Sequence, residues 1–299
     1  MKLPQAPFDR LQMTYVEEAV SFVCEGHTLW GILACPETPA ETAIVVIVGG
    51  PQYRVGSHRQ FVLLSRELAS AGYAVLRFDY RGMGDSEGAQ RTFDSVSSDI
   101  GAAIGILQQR VPSVKHVALW GLCDGASAAL LYFHETHDPR VNGLCLLNPW
   151  IRSEASLAKT QVKHYYGRRL MQKEFWYKLA SGKVTLRAVV GFVQKTRLAA
   201  ARSNQESPQR QPFQKRMATA WRLFPNHILL LLSGEDYTAK EFLEVASTDE
   251  SWKGALTHPN LVRHDLQSAD HTFSNEASRA IVVILILEWL RCSPTEHDA

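Results

Sequence analysis

The chain alternates between two apolar rhythms. Residues 20–24 and 29–34 alternate apolar with polar positions and are separated by Glu25-Gly26-His27, which predicts an antiparallel hairpin at a sheet edge. Residues 43–48 form a continuous β-branched run, the pattern of a strand buried on both faces. Residues 57–71 switch to helical spacing, with Phe61, Leu64 and Leu68 on one face and Ser57 as the expected N-cap. The alternation continues with strands at 74–79, 116–120 and 141–147 and helices at 97–109 and from Ala126 onward. Strands at 227–233 and 260–266 and a C-terminal helix follow. Strand and helix in turn, at this spacing, predict right-handed crossovers and a mostly parallel sheet covered by helices on both faces.

Between Trp150 and Pro225 the alternation stops. That stretch carries 16 Lys and Arg against Glu154, Glu174 and Glu206, a net of +13. The rest of the chain holds 16 basic and 27 acidic side chains, although the whole is only +2. The expected organisation is therefore a core at 1–149 and 226–299 with a basic helical cap inserted at 150–225. Such a segment is either a solvated helical face that happens to be basic or a surface that attracts an anionic partner: coenzyme A, an acidic acyl carrier, an anionic glycan or a membrane surface. No nucleic-acid module accompanies the charge.

Hydrophobic content of 45% over 299 residues is that of a globular protein able to bury a core. Five scattered cysteines without CxxC spacing argue against a disulfide framework and a zinc site, and for a reducing compartment. Met1-Lys2-Leu3-Pro4-Gln5 opens no apolar signal core, and the apolar run 280–290 is about half of a membrane span. Both features predict a cytoplasmic protein without a transmembrane segment. Gly82-Met83-Gly84 does not open a helix after a strand in GxGxxG form, so no dinucleotide cofactor is implied. Oligomeric state is not legible in the sequence.

The candidate chemistry centres on Gly121-Leu122-Cys123-Asp124-Gly125, which a strand enters and a small-residue helix leaves. That layout is a nucleophile elbow with cysteine where serine is usual. A structural cysteine packed as a small hydrophobe is the competing reading. A nucleophile needs a base and the base needs an acid, in this layout in the order nucleophile, acid, histidine after successive strands. Asp236 and His271 meet that order, with Glu235 as the fallback acid. Asp236 could instead cap a helix, and His271 could be an ordinary turn residue. The oxyanion donors expected are the backbone N–H of Asp124 and a group from the loop after 43–48. Pro51 has no N–H, which leaves Gly50 with Gln52 behind it. Asp85 is expected to hold its own loop.

These features resemble the α/β-hydrolase superfamily over nearly the whole chain from Val20. The stretches 49–58, 78–86 and 175–184, with the cysteine elbow, resemble more narrowly the exosortase A system-associated hydrolase 1 family. The resemblance implies a bacterial α/β-hydrolase encoded near exopolysaccharide genes, and it does not fix a substrate. Cysteine departs from the serine of most relatives, although dienelactone hydrolase uses cysteine on this fold. The expected activity is hydrolysis of an ester or thioester on a small-molecule or carrier-bound acyl substrate through Cys123, His271 and Asp236. An acyltransferase and a non-catalytic scaffold are the alternatives.

Overall fold

The computed structural model describes residues 14–50, 52–152 and 211–292. The chain divides into two compact units, 1–151 with 213–299, and 152–212. All but the ends of the smaller unit, and with them most of the expected cap, lie outside the described residues.

The expected hairpin is β1 (Tyr15–Cys24) and β2 (His27–Pro36), paired antiparallel from Cys24 opposite His27 outward. Its two-residue turn puts Glu25 and Gly26 at φ 47° and 81°, the left-handed pair that matches the twist of the strands. The buried runs become β3 (Thr42–Ile47), β4 (Val75–Phe78), β5 (His116–Leu122), β6 (Val141–Leu147) and β7 (His227–Ser233). The last strand is β8 (Leu261–Leu266), and the order across the sheet is β1-β2-β4-β3-β5-β6-β7-β8. From β4 to β8 every neighbouring pair is parallel. This is an α/β-hydrolase sheet.

Alternation along each central strand feeds two separate cores. Ala43, Val45 and Ile47 of β3 face one, Ile44 and Val46 the other. The first core is closed by α2 (Ser97–Arg110) and α3 (Asp124–Thr136) through Ile100, Leu107 and Leu130. The second is closed by α1 (Gln60–Ser70) and the C-terminal Glu276–Cys292 helix, through Phe61, Leu68, Val282 and Trp289. The 280–290 run is thus a docked helix, and no helix among the described residues is long and apolar enough to cross a membrane.

Two details differ from the sequence pattern. Ser57 does not cap α1: it opens a short 3-10 turn, and α1 begins at Gln60 without a side-chain cap. The cause is a reversal in which Gly56, His58 and Arg59 all take positive φ, with the Ser57 N–H given to Gln52 Oε1 at 3.0 Å. Within the expected 150–225 insertion, Phe213–Leu223 forms a helix, α4, that belongs to the core unit. Met217, Ala218, Ala220 and Trp221 are buried in the first core. Trp221 is fully buried, stacks against Phe242 and Trp252, and donates its indole N–H to the Ala255 carbonyl at 2.9 Å. Trp221→Ala should therefore lower the unfolding free energy by about 3–5 kcal/mol in denaturant titration. A loss below about 1 kcal/mol would mean that α4 is not anchored there.

Candidate active site

The elbow is built by close approach. Cys123 stands between β5 and α3 at φ 59°, ψ −123°, a conformation that costs a non-glycine residue roughly 1–3 kcal/mol. A Cβ on Gly121 would fall far inside van der Waals contact with the Gly125 carbonyl, and one on Gly125 would strike the Ile47 carbonyl of β3. Only glycine fits at either place. The strained residue is pinned on both sides: its N–H donates to Leu147 O at 2.9 Å and its carbonyl accepts from Trp150 N–H at 3.1 Å.

Asp236 follows β7 and is buried; His271 lies in the loop after β8. His271 Nδ1 is 2.8 Å from Asp236 Oδ2. Asp236 also caps the helix α5 (Tyr237–Thr248), accepting from the N–H groups of Thr238 and Ala239 at 3.1 and 3.2 Å. The capping role and the histidine-partner role, alternatives in the sequence, coexist in one carboxylate. Glu235 is exposed on the same loop and gives its backbone N–H to Ala269 O.

The hydrogen bond to Asp236 raises the His271 pKa to about 10, with a further contribution from a hydrogen bond to Cys123 and a smaller opposing one from burial. Burial works against the ionised form of Asp236, but the hydrogen bond and charge of His271 and the N–H groups of Thr238 and Ala239 hold its pKa below the usual carboxylate value. The pair is therefore imidazolium and carboxylate at neutral pH.

A cavity of about 320 Å³ opens beside Cys123, with Phe61, Leu122 and Trp150 as apolar wall and Gly49, Gly50, Gln52, Asp124 and His271 as polar lining. Five of the six candidate catalytic and oxyanion residues, Gly50, Gln52, Cys123, Asp124 and His271, line it; the sixth, Asp236, contacts His271. Gln52 spends its side-chain oxygen on Ser57, which leaves its amide N–H₂ to donate. Gly50 has φ 63° and open space around its Cα, so its backbone is approachable.

Three supports were not legible in the sequence. Asn148, fully buried at φ 44° after β6, donates to Ser233 Oγ at 2.8 Å and to the His271 carbonyl at 2.9 Å. Ser233 in turn donates to the Asp270 carbonyl at 2.7 Å, so the histidine loop is tied to two neighbouring strand ends. Arg54 joins the fully buried Asp79 and the exposed Asp85, fixing the chain beyond Gln52 to the loop after β4. Asp85 thus bridges loops instead of only holding its own. The signal available for Asn148 was a polar residue ending an otherwise apolar strand.

Fold and site together define an α/β-hydrolase. The serine aminopeptidase S33 family model matches residues 39–223, and the chain belongs to that family. Among solved structures it is similar to an esterase of Pyrococcus furiosus, at 19% identity and a TM-score of 0.62 over 97% of this chain and 95% of the other. It is also similar to Est1E of Butyrivibrio proteoclasticus, solved with ferulic acid bound (16% identity, TM-score 0.58, 91% and 100% covered). The mouse alpha/beta hydrolase domain-containing protein 10 aligns at 19% identity and a TM-score of 0.55 over 92% and 98% of the two chains. No curated protein sequence matches. All five cysteines are free, and among the described residues no cluster of His, Cys, Asp and Glu could hold a metal ion.

The histidine predicts a pH dependence of stability. Its folded-state pKa of about 10 lies above the unfolded value of about 6.5, so its contribution is complete below about 6.5 and is lost as pH rises toward 10. Asp236→Asn keeps a capping oxygen and removes the charge, so NMR titration should show His271 falling by more than about one unit. Asp236→Ala should cost about 1 kcal/mol more for the lost cap. A His271 titration still near 10 in Asp236→Asn would show that another group holds the proton.

Proposed function

We propose that this chain is an acyl hydrolase in which Cys123 is the nucleophile, His271 the base and acid, and Asp236 the residue that orients and charges the histidine. The observation that carries the reading is the 2.8 Å His271–Asp236 contact beside a cysteine held in a strained elbow at the cavity. The similar Pyrococcus furiosus structure is an esterase, which agrees in class. The Cys123 thiolate attacks the substrate carbonyl, forming an S–C bond and sending the π electrons to oxygen. The tetrahedral intermediate collapses as the leaving group departs with a proton from His271. Water then attacks the acyl-thioester, His271 takes its proton, and the acid leaves with the thiolate restored. Backbone N–H groups of Asp124 and Gly50, and the Gln52 amide, are the donors nearest the developing oxyanion.

A thioester intermediate forms from another thioester at nearly equal free energy, and from an oxoester or amide only uphill. The preferred substrates are therefore acyl-thioesters or similarly activated acyl groups. The net +13 of residues 150–225 suits an anionic leaving group such as coenzyme A or an acidic carrier. The family resemblance points to an exopolysaccharide-related setting.

Intact mass spectrometry after exposure to a reactive acyl probe should show one adduct that is lost in Cys123→Ala. Matched acyl-thioester and acyl-ester panels should then favour the thioester by at least about tenfold in kcat/KM. Equal or better ester turnover would overturn the substrate preference. Transfer of the acyl group to an added glycan would identify an acyltransferase, and no adduct at all a scaffold.

A further inference from the structure

The side chain of Asp124, as distinct from its backbone, lies where the reaction needs an empty place. It is the first residue of α3, and its carboxyl rests on Gly49 so closely that a Cβ there would collide with Oδ1. The N–H groups of Gly50, of Asp124 itself and of Gly125 favour the ionised carboxyl, while Oδ1 has no hydrogen-bond partner among the described residues. Two of these are the donors a substrate oxyanion would use. A carboxylate is itself an oxyanion, and two negative oxygens cannot share one set of donors in a partly desolvated cavity.

We propose that the Asp124 side chain gates the donor cradle beside Cys123, so that acyl transfer runs through the population in which the Asp124 carboxyl carries its proton. The inference rests on the acyl-transfer reading of Cys123 and adds a residue to it. A neutral carboxyl removes the charge repulsion and turns one oxygen into an O–H donor to the substrate oxygen. The proton stays on Asp124 throughout: the S–C bond forms, the carbonyl electrons move to oxygen, and His271 supplies the proton that leaves with the leaving group.

The groups facing Asp124 divide in their influence. Burial favours the neutral acid and outweighs the rest, raising the pKa above the usual carboxylate value; the three N–H groups and the charge of His271 oppose it. The N-terminus of α3 also favours the ionised form. Cys123 is the adjacent titratable group on the elbow. From the loop after β4 comes Tyr80, whose buried hydroxyl, like Asp124 Oδ1, has no hydrogen-bond partner among the described residues. An orphaned buried carboxyl oxygen is itself costly to ionise.

The test compares two reactions of the same sulfur. Acylation by p-nitrophenyl acetate passes through an oxyanion; alkylation by iodoacetamide is a direct displacement and does not. Both rates are followed by peptide mass spectrometry at Cys123 between pH 5 and 9 in the wild type, Asp124→Asn and Asp124→Ala. In the wild type the ratio of acylation to alkylation should fall by about tenfold per pH unit above the Asp124 titration. In both variants the ratio should be flat and, at pH 8, above that of the wild type; the alkylation rate also reports an intact elbow in each. A flat wild-type ratio, or acylation in all three proteins with parallel pH profiles, overturns the gate alone. Alkylation without an acyl adduct in any of the three overturns the acyl-transfer reading and the gate with it.

Discussion

Three backbone segments converge at the elbow more tightly than side chains allow, and the rest of the site depends on that approach. The end of β3 passes over the start of α3, so Gly125 faces the Ile47 carbonyl and Gly49 faces the Asp124 carboxyl. Gly121 closes the same turn from the β5 side against Gly125. With those three positions bare, Cys123 is forced to positive φ and its sulfur projects over the carboxyl end of the sheet. The strain is of order 1–3 kcal/mol, and it is held by Leu147 and Trp150 bonding to the Cys123 backbone on one side and by two buried cores beneath.

What the elbow presents, neighbouring strand ends must meet. His271 and Asp236 arrive on loops after β8 and β7, and each loop is fastened by hydrogen bonds that reach across the sheet. Asn148 is central to this: buried after β6, it bonds Ser233 at the end of β7 and the His271 backbone after β8. Asp236 likewise joins helix capping to the histidine loop, because its Oδ2 meets both the Ala239 N–H of α5 and the His271 ring nitrogen. On the opposite flank Arg54 ties the oxyanion-side loop to Asp79 and Asp85. A site assembled from strand ends is thus made rigid by polar bonds between those ends.

The charge pattern around the sulfur is asymmetric. On one side stands the imidazolium of His271; on the other Asp124 places a second acid near the backbone N–H groups of Gly50 and Gly125. Phe61, Leu122 and Trp150 make one wall of the cavity apolar, alongside its polar lining.

The strands, their parallel order and the trio Cys123, Asp236 and His271 were legible in the sequence because each leaves a local trace. A strand buried on both faces must be apolar throughout, and an elbow must carry small residues at fixed offsets. The fold-level reading of an α/β-hydrolase followed from those traces. The inclusion of α4 in the core did not, because a basic amphipathic helix looks the same whether its apolar face meets a cap or a sheet. Only the burial of Trp221 against Phe242 and Trp252 decides it. Asn148, Arg54 and the position of the Asp124 carboxyl were equally silent, since each acts on residues 25 to 123 positions away. At the elbow itself, sequence determined that glycine and a reactive side chain must stand there. Tertiary approach alone decided that an acid would lean on Gly49 beside them, because no local pattern encodes which backbone passes within reach.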